Sequence, residues 1–306
     1  MRTAYVSHPA CLRHEVGSHH PESPSRLHAI EDRLIAAGVM DLLRHYEAPL
    51  VTREQLLRVH VESYVDRVEA EAPVEGLVML DPDTAMGPRS LEAARRAAGA
   101  AVLAVDLVME GKVENAFCAV RPPGHHAEAD RAMGFCIFNN VAVGAAHALA
   151  HHGLARVAIV DFDVHHGNGT EDIFCDEPRV RFFSLFQHPW YPYVDPDQCA
   201  PNAILAPLKA SSGGSGFREA VNNLVLPALD DFAPELIFIS AGFDGHREED
   251  MGQLGLVEED YAWITRQLMA AAAKHCNNRI VSVLEGGYEL NPLGRSVTAH
   301  IKALLG

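Results

Sequence analysis

The sequence predicts an α/β protein: an open parallel sheet with helices on both faces, folded as a single domain over residues 1–306. Three observations carry this reading. Short β-rich apolar runs alternate with longer helical patterns along the chain. Most of the short runs are near-continuously apolar, as strands buried on both faces of a parallel sheet are. No repeat, low-complexity linker or composition break divides the 306 residues.

In chain order the strand candidates are Thr3–Ser7, Ala116–Val120, Arg156–Asp161, Val180–Phe186, Leu236–Ser240 and Ile280–Leu284. The helix candidates are Ser25–Ala37, Arg53–Glu69, Ser90–Glu110, Asn139–His152, Phe217–Asp231, Glu258–Lys274 and Pro292–Leu305. Thr52 before Arg53, and Pro88 near the opening of the Ser90 helix, are start signals. Ser211–Gly216 (SSGGSG) reads as a mobile surface loop, too short to separate domains.

Composition excludes some functions. With a formal charge of −16 the chain lacks the basic footprint that holds a phosphate backbone, so no direct nucleic-acid partner is expected. The six cysteines are scattered without a CxxC pair, which argues against a disulfide framework or a cysteine zinc site. The first residues, MRTAYVSHPACLRHEVG, lack the apolar core of a signal peptide, and no stretch approaches the ~20 apolar residues of a membrane span. A cytoplasmic protein with reduced thiols, not bound to a membrane, is expected. The 18 histidines, eight of them in four HH pairs, prompt a search for a metal site.

Open α/β sheets bind ligands in the loops after the carboxyl ends of their strands. Four such loops carry polar clusters: RPPGHHAE (121–128), DFDVHHGNGT (161–170), AGFDGHREED (241–250) and EGGYEL (285–290). DFDVHH is the most informative. In an extended segment alternate side chains share a face, so Asp161, Asp163 and His165 project together, and carboxylate and imidazole both suit zinc or a similar divalent ion. A lone Asp after a strand more often caps a helix. As a third ligand with Asp163 and His165, however, Asp244 gives two carboxylates to balance a dication and leaves a position for water and substrate, the pattern of catalytic zinc. His125 and His126 follow a stiff Pro-Pro-Gly turn and can face one cavity, with Asp161 and Asn168 as candidate orienting partners. The other HH pairs, His19–His20 and His151–His152, read as ordinary surface pairs. Tyr288, after two glycines, could donate a hydrogen bond to an oxyanion.

Together RPPGHHAE, GFCIFNN, DFDVHHGNGT, SAGFD and EGGY resemble, in order and spacing, the zinc-dependent histone deacetylase and acetylpolyamine amidohydrolase family, with its arginase-like fold. HPESPSRL (20–27) and LDPDTAMGPRSLEAARRAAGA (80–100) resemble its class II branch, and the likeness runs from His20 to Tyr288. The resemblance implies zinc on Asp163, His165 and Asp244. It implies His126 as the principal general base with His125 as its electrostatic or acid partner, Asp161 holding His125, Asn168 holding His126, and Tyr288 polarising the scissile carbonyl. Gly134, Phe135 and Tyr191 would line the channel for an acyl-lysine stem. A structural potassium ion is implied at Asp161, Asp163, His165, Ser184 and Leu185, and a second near Phe174, Glu177 and Val180.

Departures from the family pattern sharpen these expectations. Tyr191 falls where phenylalanine is usual. Asn168 stands where class I members carry aspartate, which should keep His126 less basic. Phe186 replaces a histidine beside the first potassium position. Met251 occupies the place where a polyamine-selective relative carries glutamate, removing the charge that would recruit a cationic polyamine. The leading expectation is therefore an amidohydrolase acting on acyl-lysine peptides or proteins, ahead of one acting on acetylpolyamines or another small acylated amine. A two-manganese ureohydrolase shares the DxDxH run but needs further bridging carboxylates. A non-catalytic acyl-ligand sensor is disfavoured by the intact set of ligands, bases and Tyr288.

Overall fold

The computed structural model describes residues 3–306. Eight strands form one all-parallel sheet: β1 (Thr3–Ser7), β2 (Arg44–Glu47), β5 (Asn115–Cys118), β6 (Val157–Asp161), β7 (Val180–Gln187), β8 (Ala203–Leu208), β9 (Leu236–Ala241) and β10 (Ile280–Leu284). Their order across the sheet is β2-β1-β5-β10-β9-β6-β7-β8. A separate antiparallel hairpin joins β3 (Val78–Asp81) to β4 (Thr84–Met86). Every residue of the four central strands β5, β10, β9 and β6 is buried, which explains their predominantly apolar sequences.

Helices flank the sheet. Two of them, α4 (Ser90–Met109) and α5 (Asn140–His151), pack on each other. Another group is formed by α1 (Ser25–Ala36), α9 (Glu258–His275) and α10 (Leu290–Leu305). Gly144 of α5 is required for close packing: a Cβ there would stand 2.9 Å from the Phe238 ring of β9. All six expected strands and most of the helices form with small shifts at their ends.

The structure corrects several elements. The expected helix Arg53–Glu69 is two helices, α2 (Arg53–Leu56) and α3 (Glu62–Ala70). Its start is as expected, with Thr52 and Gln55 forming a reciprocal capping box. The break follows from tertiary bonds. His60 Nε2 accepts from the Asn139 amide and its Nδ1 bonds the Glu128 carbonyl, while Val61 N donates to Ala129 O. SSGGSG is not a loose loop. Ser211 N and Gly213 N donate to Gln253 O and Leu254 O, and α7 (Gly213–Ala220) begins inside the segment. It runs through a π turn at Val221–Val225 into α8 (Leu226–Phe232). A Cβ on Gly214 would lie 2.2 Å from the Asp260 carboxylate, so glycine here serves close packing rather than mobility. Strands β2 and β8 and helix α6 (Asn168–Phe174) were not expected.

A buried ionic cluster joins the N-terminal segment to the sheet. Glu22 accepts from Arg121 Nε and Nη2 at 2.5 and 2.6 Å and from Arg26 Nη1 at 3.0 Å, and all three side chains are inaccessible to solvent. Arg121 also donates to Cys11 O and His14 O, while Arg26 donates to Gly287 O and Glu285 O. One carboxylate thus connects the loop after β5 to the loop after β10. Burial raises the Glu22 pKa, but the nearby Arg121, His14 and Arg26 offset this and hold it down at about 2. A depressed carboxylate pKa contributes stability that is complete above the unfolded value near 4.5 and is lost as pH falls through about 2. Glu22→Gln should lower unfolding free energy at pH 7 by about 3–5 kcal/mol by leaving buried guanidiniums without a counter-charge. In urea melts the gap between wild type and variant should persist to about pH 4 and narrow toward pH 2; a gap below about 1 kcal/mol at pH 7 would refute this role for the cluster.

Candidate active site

The four polar loops predicted from sequence follow β5, β10, β9 and β6, which are neighbours in the sheet. Asp161 ends β6 beside Ser240 of β9 and Ser184 of β7. Beyond it, Asp163 and His165 reach toward Asp244, which follows β9. Their donor atoms lie within 4.8 Å of one another and all three residues are buried. His165 Nδ1 sits 2.9 Å from Asp163 Oδ1 and 3.1 Å from Asp244 Oδ2. Asp244 Oδ2 has no hydrogen bond of acceptable geometry, although it is buried. A tetrahedral zinc with ligands at about 2.0 Å separates its donors by roughly 3.3 Å, so this triad fits such an ion with little movement.

Two glycines keep the space open. A Cβ on Gly242 would lie 2.0 Å from Asp163 Oδ2, and one on Gly286 would lie 2.1 Å from Asp244 Oδ2. Gly286 N instead donates to Asp163 Oδ2 at 2.8 Å. Charge balance also favours a cation. Asp161, Asp163, Asp244 and Glu285 are all buried here. Burial raises the pKa of Asp161 and Asp244, and burial lifts Glu285 to about 7 despite opposition from His125. His165 behaves in the complementary way: burial disfavours its charge, but the two flanking carboxylates raise its pKa to about 10.

The adjacent imidazoles have different environments. His125 Nδ1 bonds Asp161 Oδ2 at 2.8 Å, and its Nε2 lies 3.8 Å from Asp163 Oδ2. Burial opposes its charge, yet Asp161 and Asp163 raise its pKa well above the usual imidazole range. His126 Nδ1 bonds Asn168 Oδ1 at 2.7 Å. The Asn168 amide nitrogen donates to Glu128 Oε1 at 2.7 Å, which orients the amide so that His126 is its Nδ1–H tautomer and Nε2 is free. Burial first, then the charges of His125 and His165, push the His126 pKa well below the usual range.

A cavity of about 260 Å³ opens above this floor, lined by His126, His165, Gly134, Phe135, Tyr191, Met251 and Tyr288, among others. Gly134 and Phe135 both adopt left-handed backbone, at φ 56° and 69°. Their amides are held by Asp83 Oδ1 and Thr84 Oγ1 from the hairpin, and a Cβ on Gly134 would lie 2.3 Å from the His126 ring. Tyr191 stands edge-on to His126 at 5.3 Å, and its hydroxyl donates to Asp83 Oδ2 at 3.0 Å. That bond uses the hydroxyl by which Tyr191 differs from phenylalanine. Met251 lines the cavity and accepts at its carbonyl from Trp190 Nε1.

Tyr288 lies edge-on to Phe135 at 5.9 Å, with the Arg26 guanidinium 4.9 Å from its ring centre. Burial and then Asp244 push its pKa well above 10, opposed by Arg26, so the phenol remains a donor. Its backbone is fixed by Glu249, which accepts from Tyr288 N at 2.8 Å and from Glu289 N at 3.1 Å. Sequence reading missed Glu249, Asp83, Glu128 and the Glu22 cluster. It also assigned His20 to the background, whereas its ring packs edge-on against Phe135 at 4.7 Å.

Of the residues that the family resemblance implies for potassium, Ser184 and Leu185 lie in β7 beside Asp161, and Phe186 packs against His166 at 4.9 Å. The carbonyls of Phe174, Glu177 and Val180 converge as expected, but on the Asn202 amide, whose Nδ2 donates to them at 2.7, 3.2 and 3.0 Å.

Residues 20–304 match the family described as Histone deacetylase domain. The chain belongs to the histone deacetylase family. With that membership comes the enzyme class, a zinc-dependent deacetylase. The chain is 36% identical to Histone deacetylase-like amidohydrolase of Pseudomonas aeruginosa, covering 94% of this chain and 82% of that protein. It is 37% identical to Polyamine deacetylase HDAC10 of Homo sapiens, over 93% of this chain but 44% of that protein. Against Type-2 histone deacetylase 2 of Dictyostelium discoideum the identity is 34%, and the chain spans only 21% of that longer protein. The fold superposes on the HDA15 HD domain with a TM-score of 0.93 at 36% identity, covering all of this chain and 88% of that one. No described helix is long and apolar enough to cross a membrane.

The triad's geometry can be tested apart from turnover. Gly242→Ala should lower zinc affinity by about 10–100-fold by displacing Asp163, while circular dichroism shows an intact fold. Unchanged zinc content after dialysis against a weak chelator would contradict the proposed crowding.

Proposed function

We propose that this chain removes acetyl or other acyl groups from lysine side chains, with zinc on Asp163, His165 and Asp244. The observation that carries this reading is the opposite tuning of His125 and His126 beside that triad, at the base of a narrow apolar-walled cavity. When bound, zinc would polarise the amide carbonyl and acidify the attacking water. His126 Nε2, whose tautomer is fixed by Asn168, accepts the water proton. His125, paired with Asp161, supplies positive charge beside the developing oxyanion, and the Tyr288 hydroxyl donates a hydrogen bond to it. The proton then passes from an imidazolium to the departing amine, completing amide hydrolysis. Gly134, Phe135 and Tyr191 form walls against which a lysine stem can pack.

We propose one structural potassium ion, held around Asp161, Asp163, His165, Ser184 and Leu185. The local excess of buried carboxylates supports it. At the second position the Asn202 amide already satisfies the three carbonyls, so no second ion is included. A single-domain, cytoplasmic protein without a nucleic-acid partner remains part of this proposal.

Tyr288→Phe removes one oxyanion donor and should reduce kcat on an acetyl-lysine peptide by about 10²–10³-fold while retaining zinc. Near-wild-type turnover would eliminate the role assigned to this phenol.

Small acylated polyamines are the second reading, favoured by likeness to a relative named polyamine deacetylase. Met251 weighs against it: Asp83, which accepts from Gly134 N and the Tyr191 hydroxyl, and Asp250 also line the cavity, but position 251 itself carries no carboxylate. We expect kcat/KM to favour an acetyl-lysine peptide over acetylspermidine, and Met251→Glu to shift the ratio toward acetylspermidine by ~10-fold. A wild-type preference for acetylspermidine would reverse the assignment of substrate.

A further inference from the structure

Away from the catalytic centre, α4 and α5 bring together a second set of metal-binding side chains. Asp106 lies near the end of α4; His147 and His151 lie one turn apart on α5, and His152 closes that helix. Asp106 Oδ1 accepts from His147 Nε2 and from His152 Nε2, each at 2.8 Å. The His147 and His151 rings stack with centroids 4.9 Å apart, and His151 and His152 meet at the same separation. One donor atom from each of the four residues falls within 4.8 Å of all the others. His147 is buried, whereas His151 is exposed, so the cluster has a solvent entrance.

We propose that Asp106, His147, His151 and His152 form a second divalent-metal site, taking zinc or a similar borderline ion such as cobalt or nickel. Three imidazoles and one carboxylate complete a tetrahedral shell without requiring water, the form of a structural rather than catalytic site. The spacing of His147 and His151 puts both on one face of α5, and the end of that helix is where its dipole favours positive charge.

Metal entry requires each imidazole that faces Asp106 to carry its proton on Nδ1 instead of Nε2. For His147 that proton would point at Arg58, whose Nη1 now lies 3.1 Å from Nδ1. Arg58 would then turn toward Glu54, which already accepts from its Nη2 at 2.9 Å. Arg58 is thus a built-in competitor of the ion. The ion would clamp α4 to α5 at the end opposite the catalytic loops. Twelve residues at 1.5 Å each put the end of α5 about 18 Å from its start, so the two metals cannot share a bridging ligand.

The test is titration of zinc-loaded enzyme with further zinc by calorimetry, with cobalt absorption reporting tetrahedral geometry. Wild type should take up a second equivalent and show a higher Tm. His151→Ala, at an exposed position where folding is not at risk, should weaken that uptake by about tenfold or more. Asp106→Asn combined with His151→Ala and His152→Ala should abolish it, with deacetylation unchanged. Arg58→Gln should tighten it by roughly fivefold by removing the competing charge. Failure of wild type to bind the added equivalent, or its undiminished binding by the triple variant, would overturn the site.

Discussion

The structure depends on negative charge buried at the ends of three neighbouring strands, β10, β9 and β6. Asp161, Asp163, Asp244 and Glu285 are all withdrawn from solvent within one small region. Isolated carboxylates there would be strongly disfavoured, and the raised pKa values of three of them express that cost. The chain offsets part of it with His125 and His165 and with the backbone amides of Gly124, His125 and Gly286. What remains is an arrangement suited to cations. The glycines beside Asp163 and Asp244 have the same logic, since any side chain at either position would occupy the space between the acidic groups.

A second layer holds that charged centre in register. Glu22 and its two arginines connect the loops after β5 and β10, while Glu249 ties the loop after β9 to the backbone of Tyr288. Glu285 contributes from the end of β10 by accepting from Gly124 N and His125 N. Each carboxylate therefore links two of the loops that carry reactive groups. At the mouth, Asp83 plays the corresponding part for the Gly134–Phe135 turn and also accepts from Tyr191. Replacing the usual phenylalanine by tyrosine does more here than alter a wall, because it bonds that wall to the hairpin supporting the turn.

The central strands and the cluster of Asp163, His165 and Asp244 were legible because their signals are local: a largely apolar run, followed by polar residues at period two. The edges were less so. Strand β8 contains Pro207, tolerable because it lies at the sheet's edge, and β2 is short and polar. The split between α2 and α3 depends on His60 finding partners 68 and 79 residues away, which no local pattern encodes. Glu22, Asp83 and Glu249 were invisible for the same reason. An acidic residue in a loop normally reads as solvated, and only the fold turns these three into backbone and guanidinium acceptors. The family resemblance supplied the residue pairs; spacing alone had left open whether Asp161 or Asn168 oriented each histidine.

Those two partners explain how adjacent imidazoles in one cavity acquire different proton affinities. Asp161 gives His125 a full negative charge at hydrogen-bond distance. Asn168 gives His126 only an amide oxygen, which fixes the tautomer without stabilising the cation to the same extent. Yet Asn168 is not an isolated neutral group, because its amide nitrogen donates to Glu128. The carboxylate polarises the amide and strengthens Oδ1 as an acceptor, while its charge stays one hydrogen bond removed from the ring. His126 is thereby oriented through a neutral amide rather than paired directly with a carboxylate. Asp161 and Asp163 raise the pKa of His125, whereas burial and the neighbouring imidazoles lower that of His126. The position of one carboxylate, in contact for His125 and relayed for His126, adds to the burial and neighbouring charges that divide the pair.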